Sequence, residues 1–384
     1  MGEKMAENRF YLASSPHFSM NLSTQKIMLS VIIALLPECI YGVVIFGFSA
    51  LAVIFTGVLS CVLFELLFQL ATRQKLLIRD LSAVVSGILL ALVCPSTVPL
   101  WIVVLGGAVA MIVAKGLFGG IGANVFNPAL TGRAVLFLSF PVSMGAKWYE
   151  PTLVPRIYQE IMEKSLSLQN MDAMANATVW DGITAATSLS AIKRGQLSAD
   201  SFTWLSFFWG NRAGCIGETS VFLIVISFVF LLALRIIDWR ATFSMLGTFA
   251  LATFILVFAK TSDAFDAFKN VGMGLLTGGI VFGSVFMVTD YATTPVTAPG
   301  RLVFGFGCGL ITFLIRNFGG YPEGVMFSIL IMNAFSPFLN NLTVRMYGYG
   351  KKGNRRLNPK KIDMEFNIGK NPEGSDCQKG GSND

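Results

Sequence analysis

"KGLFGGIGANVFNPALTGR" (115–133) and "RNFGGYPEGVMFSILIMNAFSPFLNN" (316–341) are two versions of one pattern. Each starts on a basic residue, passes through Phe-Gly-Gly, and then sets an Asn close to a Pro in or near an apolar run. Each follows the fourth apolar run of its half of the chain and leads into the fifth. The runs lie at about 27–47, 50–71, 80–95, 99–115 and 124–140, then 217–237, 241–260, 272–289, 302–316 and 325–342. A helix needs about 17–25 residues to cross a bilayer, and the runs recur at such lengths. Five crossings per half would start the second half on the opposite side, so the halves would be inverted. Inverted repeats in transport folds place sites near the midplane, where helices break. The bland alternative is that Gly and Pro abound in membrane helices. The predicted fold is therefore an all-α polytopic membrane protein of about ten transmembrane helices, arranged as two inverted five-helix repeats.

Composition agrees. Of 384 residues, 54% are hydrophobic and 13% charged, with a mean hydropathy of +0.64. Soluble domains carry about 25% charged residues. The predicted division is a cytoplasmic N-terminal segment (1–26), a first repeat (27–140), an extracytoplasmic loop region (141–215), a second repeat (216–345) and a cytoplasmic tail (346–384). Residues 1–26 are polar and no small-residue cleavage pattern follows the first run, so that run is expected to stay as the first span. The tail is basic at "KKGNRRLNPKK" and then turns into "NPEGSDCQKGGSND", a composition expected to be disordered.

Charge sets the expected orientation. With both ends in the cytoplasm, the short inside connections hold seven basic residues: Arg73, Lys75, Arg79, Lys115, Arg235, Arg240 and Arg301. The short outside connections hold three: Lys260, Lys269 and Arg316. The positive-inside rule favours this arrangement. The net charge of +7 is thus read as orientation and not as nucleic-acid binding. The aromatic run "FTWLSFFWG" (202–210) fits an interfacial belt at the outer surface.

Several chemistries find no residues here. The cysteines, at 39, 61, 94, 215, 308 and 377, form no Cys-x-x-Cys pair, which argues against a cluster held by this chain alone and against a disulfide framework. A single His, His17, excludes a His-based metal site within one chain. No Gly-x-Gly-x-x-Gly follows a strand, so no dinucleotide domain is expected. Ionisable residues in or beside the spans are Glu38, Glu65, Arg133 and Asp290. Such groups default to functional hypotheses. Each could pair within the bundle or lie on an ion path, Arg133 and Glu218 could equally be packing partners, and none is assigned to ion transport.

Two stretches invite a site. Asn124 and Asn127 lie three apart, so on a helix they would share a face. Pro128 beside them would disturb that helix, and amides at membrane depth need partners. The second stretch is "DGITAATSL" (181–189), with Thr184 and Thr187 set among alanines in the large polar loop. Taken alone it reads as a solvated loop.

"ASSPH" (13–17), "KGLFGGIGANVFNPALTGRA" (115–134), "DGITAATSL" (181–189), "GCIGETS" (214–220) and "TDYATTPVTAPGR" (289–301) follow one another in an order that resembles the D subunit of the Rnf complex, an ion-pumping ferredoxin:NAD oxidoreductase. The chain is also similar to the related B subunit of the sodium-pumping NADH:quinone reductase. "SSPH" and the short N-terminal region favour the Rnf relationship. The resemblance covers about residues 9–345 and implies a function as a translocase subunit, not catalytic alone, in a bacterial inner membrane. It implies that Thr187 carries FMN through a phosphoester bond, in a motif where this chain has Thr184 and Ala185 in place of the usual Ser and Gly; that departure makes Thr184 a rival. It implies that Asn124 and Asn127 line a pocket for non-covalent riboflavin, beside the alternatives of interhelical glue and a pore lining. The implied partners are the other subunits of the complex, including an FMN-bearing subunit and iron–sulfur subunits, with ferredoxin and NAD docking elsewhere in the complex. The other class of function is an inverted-repeat solute channel, which has no need of Thr187 in its motif. Nothing in the sequence separates Na+ from H+.

Overall fold

In a computed structural model, residues 23–73, 78–145, 208–210, 214–319 and 323–343 are described. Thr184, Thr187, His17, Cys377, most of the 141–215 region, nearly all of the N-terminal segment and the tail lie outside the described residues.

The described residues are helical, with no strand among them. The helices are α1 (Thr24–Phe46), α2 (Phe48–Ala71), α3 (Ser82–Leu92), α4 (Leu100–Ala108), α5 (Pro128–Ser139), α6 (Pro141–Gly145), α7 (Val221–Ala233), α8 (Trp239–Thr261), α9 (Ala264–Leu276), α10 (Ile280–Phe282), α11 (Ala298–Phe318) and α12 (Val325–Thr343). α4 runs on as a π-helix over Val109–Gly116, and α10 over Gly283–Met287. Helix thus falls in every range where the sequence has an apolar run. Four helices, α1, α2, α8 and α11, are long and apolar enough to cross a membrane, and the bent pair α9–α10 makes up to five. Large side chains such as Leu29, Ile33, Leu36 and Ile40 on α1 and Phe55, Leu59 and Leu63 on α2 are exposed, as a surface facing lipid requires.

Local chemistry explains the boundaries. Ser23 caps α1, its hydroxyl accepting from the Lys26 N–H at 3.3 Å. Gly47, at φ 78°, ends α1 and starts α2 in a single residue, a conformation that side chains rarely adopt. Asp238 caps α8, Asp263 caps α9 and Thr297 caps α11. Small residues let helices close up. A side chain at Gly87 of α3 would strike the Val58 backbone and the Gly57 carbonyl of α2, and one at Gly305 or Gly309 of α11 would strike the backbone of α8.

The bend between α9 and α10 is 66°. Thr277 is extended (ψ 144°) and Gly278 takes φ 64°, which re-aims the chain. The carbonyls freed at the end of α9 find a cation: Arg316 donates to Gly274 O at 2.7 Å and Thr277 O at 3.3 Å, with its guanidinium 5.0 Å over the Phe249 ring.

Two expectations are corrected. The apolar pattern starts the fifth run at 124 and puts Asn124 and Asn127 on one helix face. Helix α5 begins at Pro128 instead, and both asparagines precede it. Proline lacks an N–H and has the φ of a first helical turn, so it opens the helix rather than disturbing it, and it holds Asn127 extended at φ −63°, ψ 121°. Lys115 and Arg316, which the charge pattern places in connections, are buried within the bundle. One leaves each side of the count, so the asymmetry stands.

Candidate functional site

α5 starts at a cavity. Asn127 is its N-cap: the side-chain oxygen accepts from the Ala129 N–H at 3.1 Å and the Leu130 N–H at 3.3 Å. Asn124 donates through Nδ2 to the Phe126 carbonyl at 3.2 Å. The backbone just before them is the glycine-rich turn "GGIGA", in which Gly119, Gly120 and Gly122 all have positive φ. Asn124 and Asn127 thus come to one place without sharing a helix. Both are buried, at 7% and 2% exposure.

They line a cavity of about 440 Å³ together with Ser82, Lys115, Asp290 and Tyr291. The wall between these groups is apolar, formed by Ile27, Met28, Val85, Leu89 and Ile121. A volume within about 300–1,000 Å³, apolar walls and a few placed polar groups are the mark of a small-molecule site. The fit to a flavin ring can be stated in hydrogen bonds. Asn127 spends its oxygen on the helix cap, which leaves its Nδ2 as a donor. Asn124 spends its Nδ2 on Phe126, which leaves its oxygen as an acceptor. The two amides therefore leave one donor and one acceptor among the residues that line the cavity, the groups that the alternating carbonyl and N–H edge of an isoalloxazine ring would require.

Lys115 looks from the sequence like a connection charge only. It is 4% exposed, its Nζ 2.5 Å from Glu65 Oε1 of α2 and 2.7 Å from Ser82 Oγ of α3. Gln69 donates to the same Glu65 oxygen at 3.2 Å. A signal for this is present in the sequence: Glu65 in a span calls for a cation, and Lys115 closes the fourth run. Asp290, which also lines the cavity, has its carboxyl raised from its ordinary value by burial, against hydrogen bonds from Thr293, Ala292 and Tyr291. A neighbouring cavity of about 470 Å³ shares Asp290 and Tyr291 and includes Asp238 and Arg301. Burial raises the Asp238 carboxyl, but hydrogen bonds from the Arg301 side chain at 2.7 Å and the Arg240 N–H hold it below its ordinary value.

A second cluster joins the halves. Arg133 of α5, 6% exposed, lies 2.5 Å from Glu323 and 3.9 Å from Glu218, with Cys215 Sγ at 3.5 Å. The sequence offers Glu218 as one alternative partner of Arg133; Glu323 is nearer, and sequence reasoning missed it. The ligand atoms of Cys215, Glu218 and Glu323 lie within 4.8 Å of one another, and the guanidinium supplies a cation beside them. Removing one member of a buried ion pair costs about 3–5 kcal/mol, because the other charge is left in place. Arg133→Met is therefore expected to lower the thermal midpoint of the detergent-solubilised protein steeply, and Arg133→Met with Glu323→Gln to recover part of the loss. Equal midpoints for Arg133→Met and the unaltered chain would show that the pair carries no stability.

Helix α6 follows the C-terminal end of α5, whereas the cavity lies at the N-terminal end of α5. Twelve helical residues separate the two ends, about 18 Å at 1.5 Å per residue.

Comparison with known proteins gives one answer throughout. Residues 11–348 match the family model described as the NQR2, RnfD, RnfE family. The chain is 36% identical to the D subunit of the proton-translocating ferredoxin:NAD(+) oxidoreductase complex of Clostridium ljungdahlii, over 88% of this chain and 96% of that protein. It is 37% identical to the D subunit of the Na(+)-translocating ferredoxin:NAD(+) oxidoreductase complex of Acetobacterium woodii, over 90% and 98%. It is 35% identical to the D subunit of the ion-translocating oxidoreductase complex of Escherichia fergusonii, over 89% and 99%.

Proposed function

The chain belongs to the NQR2, RnfD, RnfE family, and on that premise we propose that it is the membrane-embedded D subunit of an ion-translocating ferredoxin:NAD oxidoreductase complex. In this reading it carries FMN on Thr187 and riboflavin in the cavity, and it helps couple ferredoxin-to-NAD electron transfer to ion movement. The relatives' names support the complex and its reaction, and they divide between proton and sodium as the coupling ion. The observation that carries the flavin reading is the cavity itself, where Asn124 and Asn127 meet with one free donor and one free acceptor. A flavin there would supply one-electron redox chemistry. The chain's own residues would bind its polar edge through Asn124 and Asn127 and exclude water with the apolar wall. Thr187 would supply the hydroxyl oxygen of the phosphoester.

The same proposal includes ten spans in two inverted repeats, in a bacterial inner membrane with both termini cytoplasmic and the 141–215 loop outside. The packing supports the repeat. α1 lies against α7, the first helix of the second half, and α5 lies against α12, the last. Lys115 binds Glu65 and Ser82 on the second and third helices of its half, and Arg316 binds Phe249, Gly274 and Thr277 on or just after the second and third helices of the other. The partners are the other subunits, FMN-bearing and iron–sulfur, with ferredoxin and NAD bound on them.

Membrane vesicles from cells lacking this chain are expected to lose ferredoxin-dependent NAD reduction and the ion gradient that accompanies it, and to regain both on re-expression. Vesicles that keep both without the chain would contradict the assignment.

A further inference from the structure

The cavity holds a charged group that the flavin reading does not use. Lys115 lines it, and an ammonium has three N–H donors. Two are placed, on Glu65 Oε1 at 2.5 Å and Ser82 Oγ at 2.7 Å. The third has no partner among the described residues. A lysine needed only to neutralise Glu65 has no reason to border a cavity, and a buried ammonium is a costly way to line one. The π-helix that carries Lys115 is itself a departure from regular helix of the kind that recurs at functional sites.

We propose that Lys115 and Glu65 together set the reduction potential of the flavin in this cavity, with Lys115 favouring the reduced ring and Glu65 restraining that preference. The inference rests on the flavin reading above. On reduction an electron passes to the ring from a one-electron carrier elsewhere in the complex, which is oxidised in turn. The ring gains negative charge. Lys115 keeps its proton, and no bond on this chain forms or breaks. While the ring is oxidised, Lys115 and Glu65 sum to zero charge. A lone charge at contact distance is worth on the order of a thousandfold at intermediate dielectric. With Glu65 opposing it, the net effect of the pair is on the order of tenfold, or about 59 mV for one electron.

The test is a redox titration of the purified complex, read as a difference against a complex carrying Ser86→Trp, which fills the cavity from its wall. Lys115→Met, which leaves Glu65 unopposed, is expected to lower the midpoint of the cavity flavin by the full effect of one charge, on the order of 180 mV. Glu65→Gln, which keeps an oxygen for Gln69 and Lys115, is expected to raise it. The double variant removes both charges and is expected to lie below the unaltered value by the pair's net effect, about 59 mV. It also removes both members of the pair, so it assembles even where Lys115→Met does not. If the unaltered complex releases no riboflavin, or Ser86→Trp leaves riboflavin in place, the cavity reading falls and this inference with it. If riboflavin is present and displaced by Ser86→Trp, but Glu65→Gln and the double variant leave its midpoint unmoved, the cavity reading stands and the inference is overturned.

Discussion

Thr187→Ala is expected to abolish the flavin-fluorescent band that the unaltered chain shows on a denaturing gel when expressed with a flavin transferase. The effect is all or none, because a phosphoester needs a side-chain oxygen and alanine has none. The variant is expected to reach the membrane in normal amount, since Thr187 belongs to none of the apolar runs of the sequence. Small neighbours, Ala185 and Ala186, would leave room for a transferase and a bulky ring. The rival hydroxyl is Thr184. A band that survives in Thr187→Ala and vanishes in Thr184→Ala would place the ester three residues earlier.

The second large effect is expected on the proposed non-covalent flavin. Asn124→Leu or Asn127→Leu preserves volume but leaves a polar atom of the ring unpaired in an apolar cavity. A lost buried partner costs about 1–3 kcal/mol, on the order of ten- to hundredfold in affinity. That is enough to empty the site during purification while the gel-fluorescent band stays. Leucine at 127 also removes the cap of α5, worth about 1 kcal/mol of stability. Asn127→Asp separates the two roles. It keeps an oxygen for the Ala129 and Leu130 N–H groups and replaces the free Nδ2 donor with an acceptor. The thermal midpoint is expected to hold while acid-extractable riboflavin is lost. Riboflavin at unaltered stoichiometry in Asn124→Leu, Asn127→Leu and Asn127→Asp would make both asparagines structural.

Much of this is legible in the sequence, for physical reasons. Apolar runs announce helices that face lipid, and the helices fall in the ranges of those runs. The meeting of Asn124 and Asn127 is legible as an outcome but not as a geometry. The spacing of three suggests a helix face, whereas Pro128 starts the helix and the glycine turn before it brings the two amides together. Lys115 and Arg316 mislead because a basic residue at the end of a run looks like an interfacial charge. Only the fold shows that each reaches back to the second and third helices of its half. Glu323 escapes notice as the partner of Arg133 because the two are 190 residues apart and meet only when the halves pack. Thr187 belongs to a different kind of legibility: its loop carries no periodicity or burial signal, and its role rests on resemblance alone.

The central claim is that this chain is a flavin-bearing subunit, and mass spectrometry of the unaltered chain, purified from its own complex, tests it most directly. The peptide that contains Thr187 is expected to carry the mass of FMN less one water, with fragment ions placing the addition on Thr187 and not on Thr184. A chain whose every peptide matches its unmodified mass would contradict the account.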